Sequence, residues 1–280
     1  MDITLGGVAL KTPTERASRF SLLLWGPSGM GKTTLASTSP KNILWLNFDP
    51  DGTDAITNVE GIEVLDFANE PDSCVEKFKE ENPIKLRQFL TDRPDIQTVV
   101  FDSLTTFGEK ALAHGVKVGK QTRKGQSEGI TIESPGYTGY GNKNTWTQLT
   151  VRYLLQVTGE CKRNVIFIAH EDVPEKDEKG VVLYISIMLG SSLNEQIPVK
   201  LSEIWNLTDT GKERRIAIRA CRARKPMKSR MFIMSGEPEF IWDYDAVTKE
   251  GEGISDWFKQ WKENGGEKIP LPGSVQKKKK

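Results

Sequence analysis

The sequence predicts an α/β fold in which a mostly parallel central β-sheet is flanked by helices and carries an antiparallel β-extension on its C-terminal side. Three observations predict it. Short, continuously apolar runs recur at Phe20–Trp25, Ile43–Phe48, Ile62–Phe67, Thr98–Phe101 and Val165–Ala169, as expected of strands covered by helices on both faces. Between several of them lie stretches with the three-and-four spacing of crossover helices. After Ala169 the texture changes to strands separated by turns. At 280 residues, 37% hydrophobic and 28% charged, the chain has the make-up of a globular protein able to bury a core. No apolar run approaches the ~20 residues that cross a bilayer. Met1-Asp2-Ile3-Thr4 lacks the basic start and long apolar stretch of a secretion signal. The expectation is therefore a cytoplasmic chain with no membrane partner.

The first strand leads straight into Gly26-Pro27-Ser28-Gly29-Met30-Gly31-Lys32-Thr33-Thr34, which fits G-x-x-x-x-G-K-[ST]. Its glycines let the backbone curl so that successive N–H groups converge on an anion, and a helix opening near Gly31 adds its positive end. Lys32 would reach the β- and γ-phosphates of ATP, and the Thr33 hydroxyl would hold Mg²⁺. The bland alternative is a glycine-rich turn. Thr34-Leu35-Ala36-Ser37 continues the helix until Pro40 stops it. Ser73-Cys74-Val75-Glu76 has the spacing of a capping box and opens a helix that runs in pieces to Leu90, interrupted at Pro83. Helices follow over Ser103–Val118 and Thr145–Cys161, the second with Trp146, Leu149, Tyr153 and Leu154 on one side. Val181–Met188 reads as a strand. Ile204–Leu207 and Arg214–Ala220 flank the hairpin turn Thr208-Asp209-Thr210-Gly211, and Met231–Met234 reads as an edge strand. A closing helix, Ile254–Lys262, spaces Ile254, Trp257, Phe258 and Trp261 as core residues. Residues 265–280 form a loose basic tail ending in Lys277–Lys280, so the chain divides into a lead-in over 1–19, one ATPase domain over 20–264, and the tail.

A phosphate cradle needs a metal partner, normally an acid at the end of a neighbouring strand. Thr98-Val99-Val100-Phe101-Asp102 supplies it. Asp102 at the strand tip can orient a water on the Mg²⁺ held by Thr33, although it also suits the N-cap of the next helix. Hydrolysis further needs a group that orients the attacking water. A Glu often follows the metal-binding Asp, but here that place is Ser103. The second strand ends in Asn47-Phe48-Asp49-Pro50-Asp51-Gly52. Asp51 lies further out and is preferred as the base, with Asp49 as runner-up and a turn-forming role for both as the alternative. Val165–Ala169 ends in His170, where a polar group can sense the γ-phosphate and relay its loss to the following loop; a structural histidine is the alternative.

Cys74, Cys161 and Cys221 stand far apart without a C-x-x-C and read as reduced thiols. Net charge is only +1, yet Lys212 to Arg230 holds nine basic residues against one acid, Glu213. Such a run suits a polyanion, either nucleic-acid phosphate or the triphosphate of a neighbouring subunit, or else a solvated face.

Taken together, Gly26–Thr34, the Val-Val-Phe-Asp-Ser metal strand, the acid after strand two and the polar residue after the Val165 strand resemble the RecA/recombinase branch of P-loop ATPases. More narrowly, the chain resembles the short phage-encoded RecA-like proteins of single-strand annealing and recombination. It departs from RecA in having Asp51 in place of a Glu and His170 in place of a Gln. The resemblance covers about Phe20 to Arg230. It implies single-stranded DNA binding through mobile loops, here Gly119–Asn144 and Glu171–Pro198. The first offers Lys120, Arg123, Lys124 and Lys143 with Tyr137 and Tyr140 among glycines, a mix that can grip phosphates and stack on bases; a flexible lid is the alternative. It also implies a homo-oligomer, ring or filament, with ATP at subunit interfaces and Arg222 and Arg224, at the end of a predicted strand, reaching the neighbour's ATP; salt bridges on a solvated edge are the alternative for that pair. A single-strand-binding protein is a further implied partner, and the location would be the host cytoplasm. The expected function is Mg-dependent ATP hydrolysis coupled to single-stranded DNA in phage recombination or replication. The alternatives are a nucleotide-gated assembly factor and a helicase-loader or packaging-type ATPase.

Overall fold

The computed structural model describes residues 4–5, 8–9, 19–79, 84–233 and 236–273. Its strands are β1 (Thr4–Leu5), β2 (Val8–Ala9), β3 (Ser21–Gly26), β4 (Ile43–Asn47), β5 (Ile62–Asp66), β6 (Thr98–Asp102), β7 (Asn164–His170), β8 (Glu175–Lys176), β9 (Val182–Tyr184), β10 (Glu203–Asp209), β11 (Arg214–Ala217) and β12 (Glu239–Trp242). Its α-helices are α1 (Lys32–Ser37), α2 (Leu86–Asp92), α3 (Leu104–Gly119), α4 (Arg123–Glu128), α5 (Gly136–Glu160), α6 (Ser191–Gln196) and α7 (Ile254–Glu263). Eight strands form the central sheet in the order β12-β11-β10-β3-β7-β6-β4-β5. Neighbours are parallel from β10 to β5, whereas β11 and β12 pair antiparallel. Two small ribbons, β1–β2 and β8–β9, stand apart from it.

Alternation along the strands explains their continuous apolar runs. In β3, Leu23 and Trp25 join one core, and Leu22 and Leu24 join the other. The first core takes Leu104, Phe107 and Ala111 from α3 and Val151, Leu154 and Val157 from α5. Phe48, at its centre, has the rings of Phe67, Phe78, Phe101 and Phe107 at 4.7–5.7 Å, each pair worth about 0.5–1.5 kcal/mol beyond the area buried. The second core takes Leu35 and Ala36 from α1 and the predicted stripe Ile254, Trp257, Phe258 and Trp261 from α7. Over the interior strands both sheet faces are thus closed, and the loops at the C-terminal strand ends are left to carry chemistry.

Several expectations are corrected. Ile62–Asp66 is not covered on both faces: it is the edge strand, with Val64 42% and Leu65 40% exposed. Ser73 caps no α-helix; the segment is a 3-10 helix, Asp72–Phe78, followed after the undescribed residues around Pro83 by α2. Val181–Met188 shrinks to β9, and the strand from Arg214 ends at Ala217. Phe232 makes only a bridge to Ile269, with Met234 outside the described residues, and the edge is β12 instead. Lys277–Lys280 and most of the lead-in also lie outside the described residues.

The largest correction concerns Gly119–Asn144. Most of it is helical, in α4 and the first two turns of α5. Gly139, and Gly115 opposite it on α3, serve close packing rather than freedom. A Cβ on Gly115 would lie 2.9 Å from Asn142 Cβ and 3.2 Å from the Gly139 carbonyl, and one on Gly139 would lie 3.0 Å from Val116 Cγ2. Their missing side chains let α3 and α5 approach backbone to backbone.

Candidate nucleotide-binding site

The cradle sits where β3 gives way to α1. At Gly26, with φ 152°, a side chain would collide with the Leu207 carbonyl, so only glycine lets the tip of β3 lie against β10. Gly29 and Gly31 hold φ 78° and 92°, the left-handed region that turns the loop. Pro27, Ser28 and Met30 complete it, and Thr34 follows in α1. The loop opens on a cavity of about 430 Å³ whose wall includes Ser28, Lys32, Thr33, Asp102 and His170.

Lys32 is 5% exposed. Its ammonium donates to the carbonyls of Gly26 at 3.0 Å and Pro27 at 2.7 Å. Burial lowers its pKa to about 8 against the opposing pull of Asp102, Asp49 and Glu171. Asp102 caps β6 and is 2% exposed. Burial, and then the charge of Asp49, push its carboxyl up to about 7. The Thr33 hydroxyl donates to Asp102 Oδ2 at 3.3 Å, across the intervening β7.

That pair fits a magnesium ion. Adjacent ligands of an octahedral Mg²⁺ at 2.0–2.1 Å lie ~3 Å apart, close to the separation of these two oxygens, and a cation between them would favour the ionised carboxylate that burial opposes. Among the described residues no group of three or more His, Cys, Asp or Glu could hold a metal. A site of two protein oxygens suits an ion that keeps waters and phosphate oxygens as its other ligands.

Asp49, rather than Asp51, is bonded into the centre. Its Oδ1 accepts from the Ser103 hydroxyl at 2.9 Å and from the Thr106 hydroxyl, and His170 Nε2 lies 3.3 Å from its Oδ2. Burial pushes Asp49 up, but the hydrogen bonds from His170, Thr106 and Ser103 outweigh it and hold the carboxyl below its usual value. His170 is fixed from behind as well, its backbone N–H donating to Thr105 Oγ1 at 3.0 Å. Asp51 lines the cavity but is exposed in a left-handed turn, φ 58°. Ser103 is also the N-cap of α3, accepting from the Thr106 N–H at 3.2 Å.

The basic run is largely paired within the chain. Arg222 donates to Glu239 at 2.6 Å, and Arg215 to the same carboxylate at 2.8 Å. Arg224 grips Glu171 through two bonds, at 2.8 and 3.0 Å. Arg222 and Arg224 lie in a turn after β11 rather than at a strand end. Arg214, of the same run, lines the cavity. Of the residues expected at DNA, Lys120, Arg123 and Lys124 are exposed, and Tyr137 and Tyr140 are 88% and 51% exposed on the first turns of α5. Lys143 is set apart from them. Its stem packs on Gly108, and burial lowers its pKa.

The model of a family described as AAA domain matches residues 18–237, a span that contains the cradle, Asp102, His170 and the Arg222–Arg224 turn. No curated protein matches the chain. Among the described residues no helix is long and apolar enough to cross a membrane.

Proposed function

This chain belongs to the AAA domain family of P-loop ATPases, and on that premise we propose that it hydrolyses ATP with magnesium and couples turnover to single-stranded DNA as a homo-oligomer in recombination or replication. The observation that carries the ATPase reading is the meeting of the Thr33 hydroxyl and the Asp102 carboxylate at 3.3 Å beside the buried Lys32. Bound magnesium would neutralise charge on the β- and γ-phosphates. Lys32, parked on two cradle carbonyls, is placed to serve the same phosphates. Asp49 spends its oxygens on three donors and is a poor proton acceptor. We therefore assign the orientation of the attacking water to His170, with Asp49 positioning its ring.

The DNA reading is supported by Tyr137 and Tyr140 standing exposed near Lys120, Arg123 and Lys124, because stacking supplies about 1–3 kcal/mol per base and the cations grip the backbone. ATPase rates with and without single-stranded DNA, at low and moderate salt, test it. Stimulation of severalfold is expected, with the Tyr137→Ala, Tyr140→Ala double variant losing the stimulation and keeping the basal rate. No response to DNA would sink the coupling, whereas undiminished hydrolysis in Lys32→Ala would sink the site. A nucleotide-gated assembly factor is the second reading. It is favoured by Ser103 standing where an acid often follows, and is distinguished by nucleotide-dependent assembly with negligible turnover.

A further inference from the structure

The turn that the sequence placed at Thr208–Gly211 falls at Thr210–Glu213, since β10 runs on to Asp209, and the returning strand β11 then opens with a basic side chain at the same sheet edge as the cradle. The Arg214 guanidinium covers Gly31: a Cβ there would lie 3.6 Å from Cζ and Nη1. Arg214 lines the cradle's cavity and also an adjoining one of about 680 Å³, whose wall includes Trp242 and Tyr244. It is steadied from two sides without being used up. The ring of Trp242 is 5.7 Å away, and Asp209 Oδ2 is 3.7 Å from Nε, beyond hydrogen-bond length. The other oxygen of Asp209 is taken by the Gly211 N–H at 2.7 Å. Arg222 and Arg224, by contrast, are committed to Glu239 and Glu171.

Position across the sheet decides which part of a nucleotide Arg214 meets. In the order β11-β10-β3-β7-β6, the acid strand lies two places to one side of the cradle strand and the Arg214 strand two places to the other. A triphosphate whose terminal group lies at Asp102 and His170 therefore turns its α-phosphate and nucleoside toward Arg214. We propose that Arg214 binds the α- and β-phosphates of the nucleotide held by its own subunit, serving ADP and ATP alike. This rests on the ATP reading above. A guanidinium fork is suited to two phosphate oxygens at once, and with no contact to the γ-phosphate it sets affinity rather than the rate of cleavage.

Fluorescent ADP and a non-hydrolysable ATP analogue, titrated with magnesium into wild type, Arg214→Gln and Arg214→Lys, test the proposal alongside steady-state ATPase kinetics. Arg214→Gln is expected to weaken both nucleotides by about tenfold, or about 1.4 kcal/mol, and in equal proportion, with kcat within about twofold of wild type. Arg214→Lys keeps a charge over Trp242 but presents no fork; it is expected to recover part of the loss and carries the test if the glutamine variant fails to fold. ADP affinity unchanged in both variants would overturn the proposal. So would a fall in kcat with ADP affinity intact, which would put the charge at the γ-phosphate. Wild type binding neither nucleotide would overturn the ATP reading itself, an outcome distinct from failure at Arg214 alone.

Discussion

Replacing Asp102 with Asn should change how the stability of the nucleotide-free, chelated protein depends on pH. The Asp102 carboxyl is pushed up to about 7 from the ordinary 3.8 that it has in the unfolded chain. The difference is ~3 units at about 1.4 kcal/mol each, a ceiling of about 4 kcal/mol, which the nearby Lys32 ammonium and local rearrangement reduce. Between about pH 4 and pH 7 the folded protein holds a proton that the unfolded chain has released. The contribution is therefore complete below the unfolded value and is lost as pH rises through the folded one. Lys32 acts elsewhere: its folded pKa of about 8 lies below the ordinary 10.5, so stability recovers only between those two values. Urea unfolding in EDTA, followed by the fluorescence of the seven tryptophans, measures the effect at several pH values from 5 to 8. Wild-type stability relative to Asp102→Asn should fall by about 2–3 kcal/mol across that range, leaving the variant the more stable of the two at pH 8. Magnesium with ADP should restore the wild type and not the variant. Parallel curves for the two proteins, or wild-type stability that gains on the variant as pH rises, would refute the reasoning.

Two further expectations concern the framework. In Gly139→Val the new Cβ would lie 2.8 Å from Pro135 Cβ and 3.0 Å from Val116 Cγ2, so overpacking should cost about 1–3 kcal/mol; an unchanged melting temperature would show that α3 and α5 do not depend on close approach there. Arg224→Ala strands the largely buried Glu171 carboxylate and should destabilise by about 3 kcal/mol, and adding Glu171→Gln should restore the melting temperature. If Arg224 also serves a neighbouring subunit, the restored double variant will still hydrolyse ATP roughly 10³-fold more slowly, and wild-type kcat in it would remove that role.

The cradle and Asp102 were legible because their geometry is local: a glycine pattern next to an apolar run, and an acid at the end of one. What was not legible depended on distant neighbours. Gly139 suggests freedom when read along the chain as part of a loop, and only the approach of α3 to α5 shows that it lies against Gly115 and makes room for another backbone. Asp49 and Asp51 differ by two positions, and the left-handed turn at Asp51 leaves it at the rim while Asp49 faces the hydroxyls of α3. β5 has the apolar content of an interior strand, and its edge position follows from the crossover order alone. Arg214 was lost within a run of like charges. The available signal was its place as the first residue after a hairpin turn at the cradle's edge.

The tip of β7 is tied to more than the nucleotide cavity. His170 O accepts from the Met188 N–H at 2.9 Å; two residues further on, Gly190 comes within reach of Lys143, and Ser192 accepts from the Asn144 amide at 3.0 Å, one helical turn from Tyr140. Two hydrogen bonds and the stretch of chain between them thus lie between the backbone of His170 and the helix that carries Tyr140. Any free energy passed along that route must be equal in both directions, so a polymer resting on the tyrosine would change how tightly product is retained by as much as product changes its grip on the polymer.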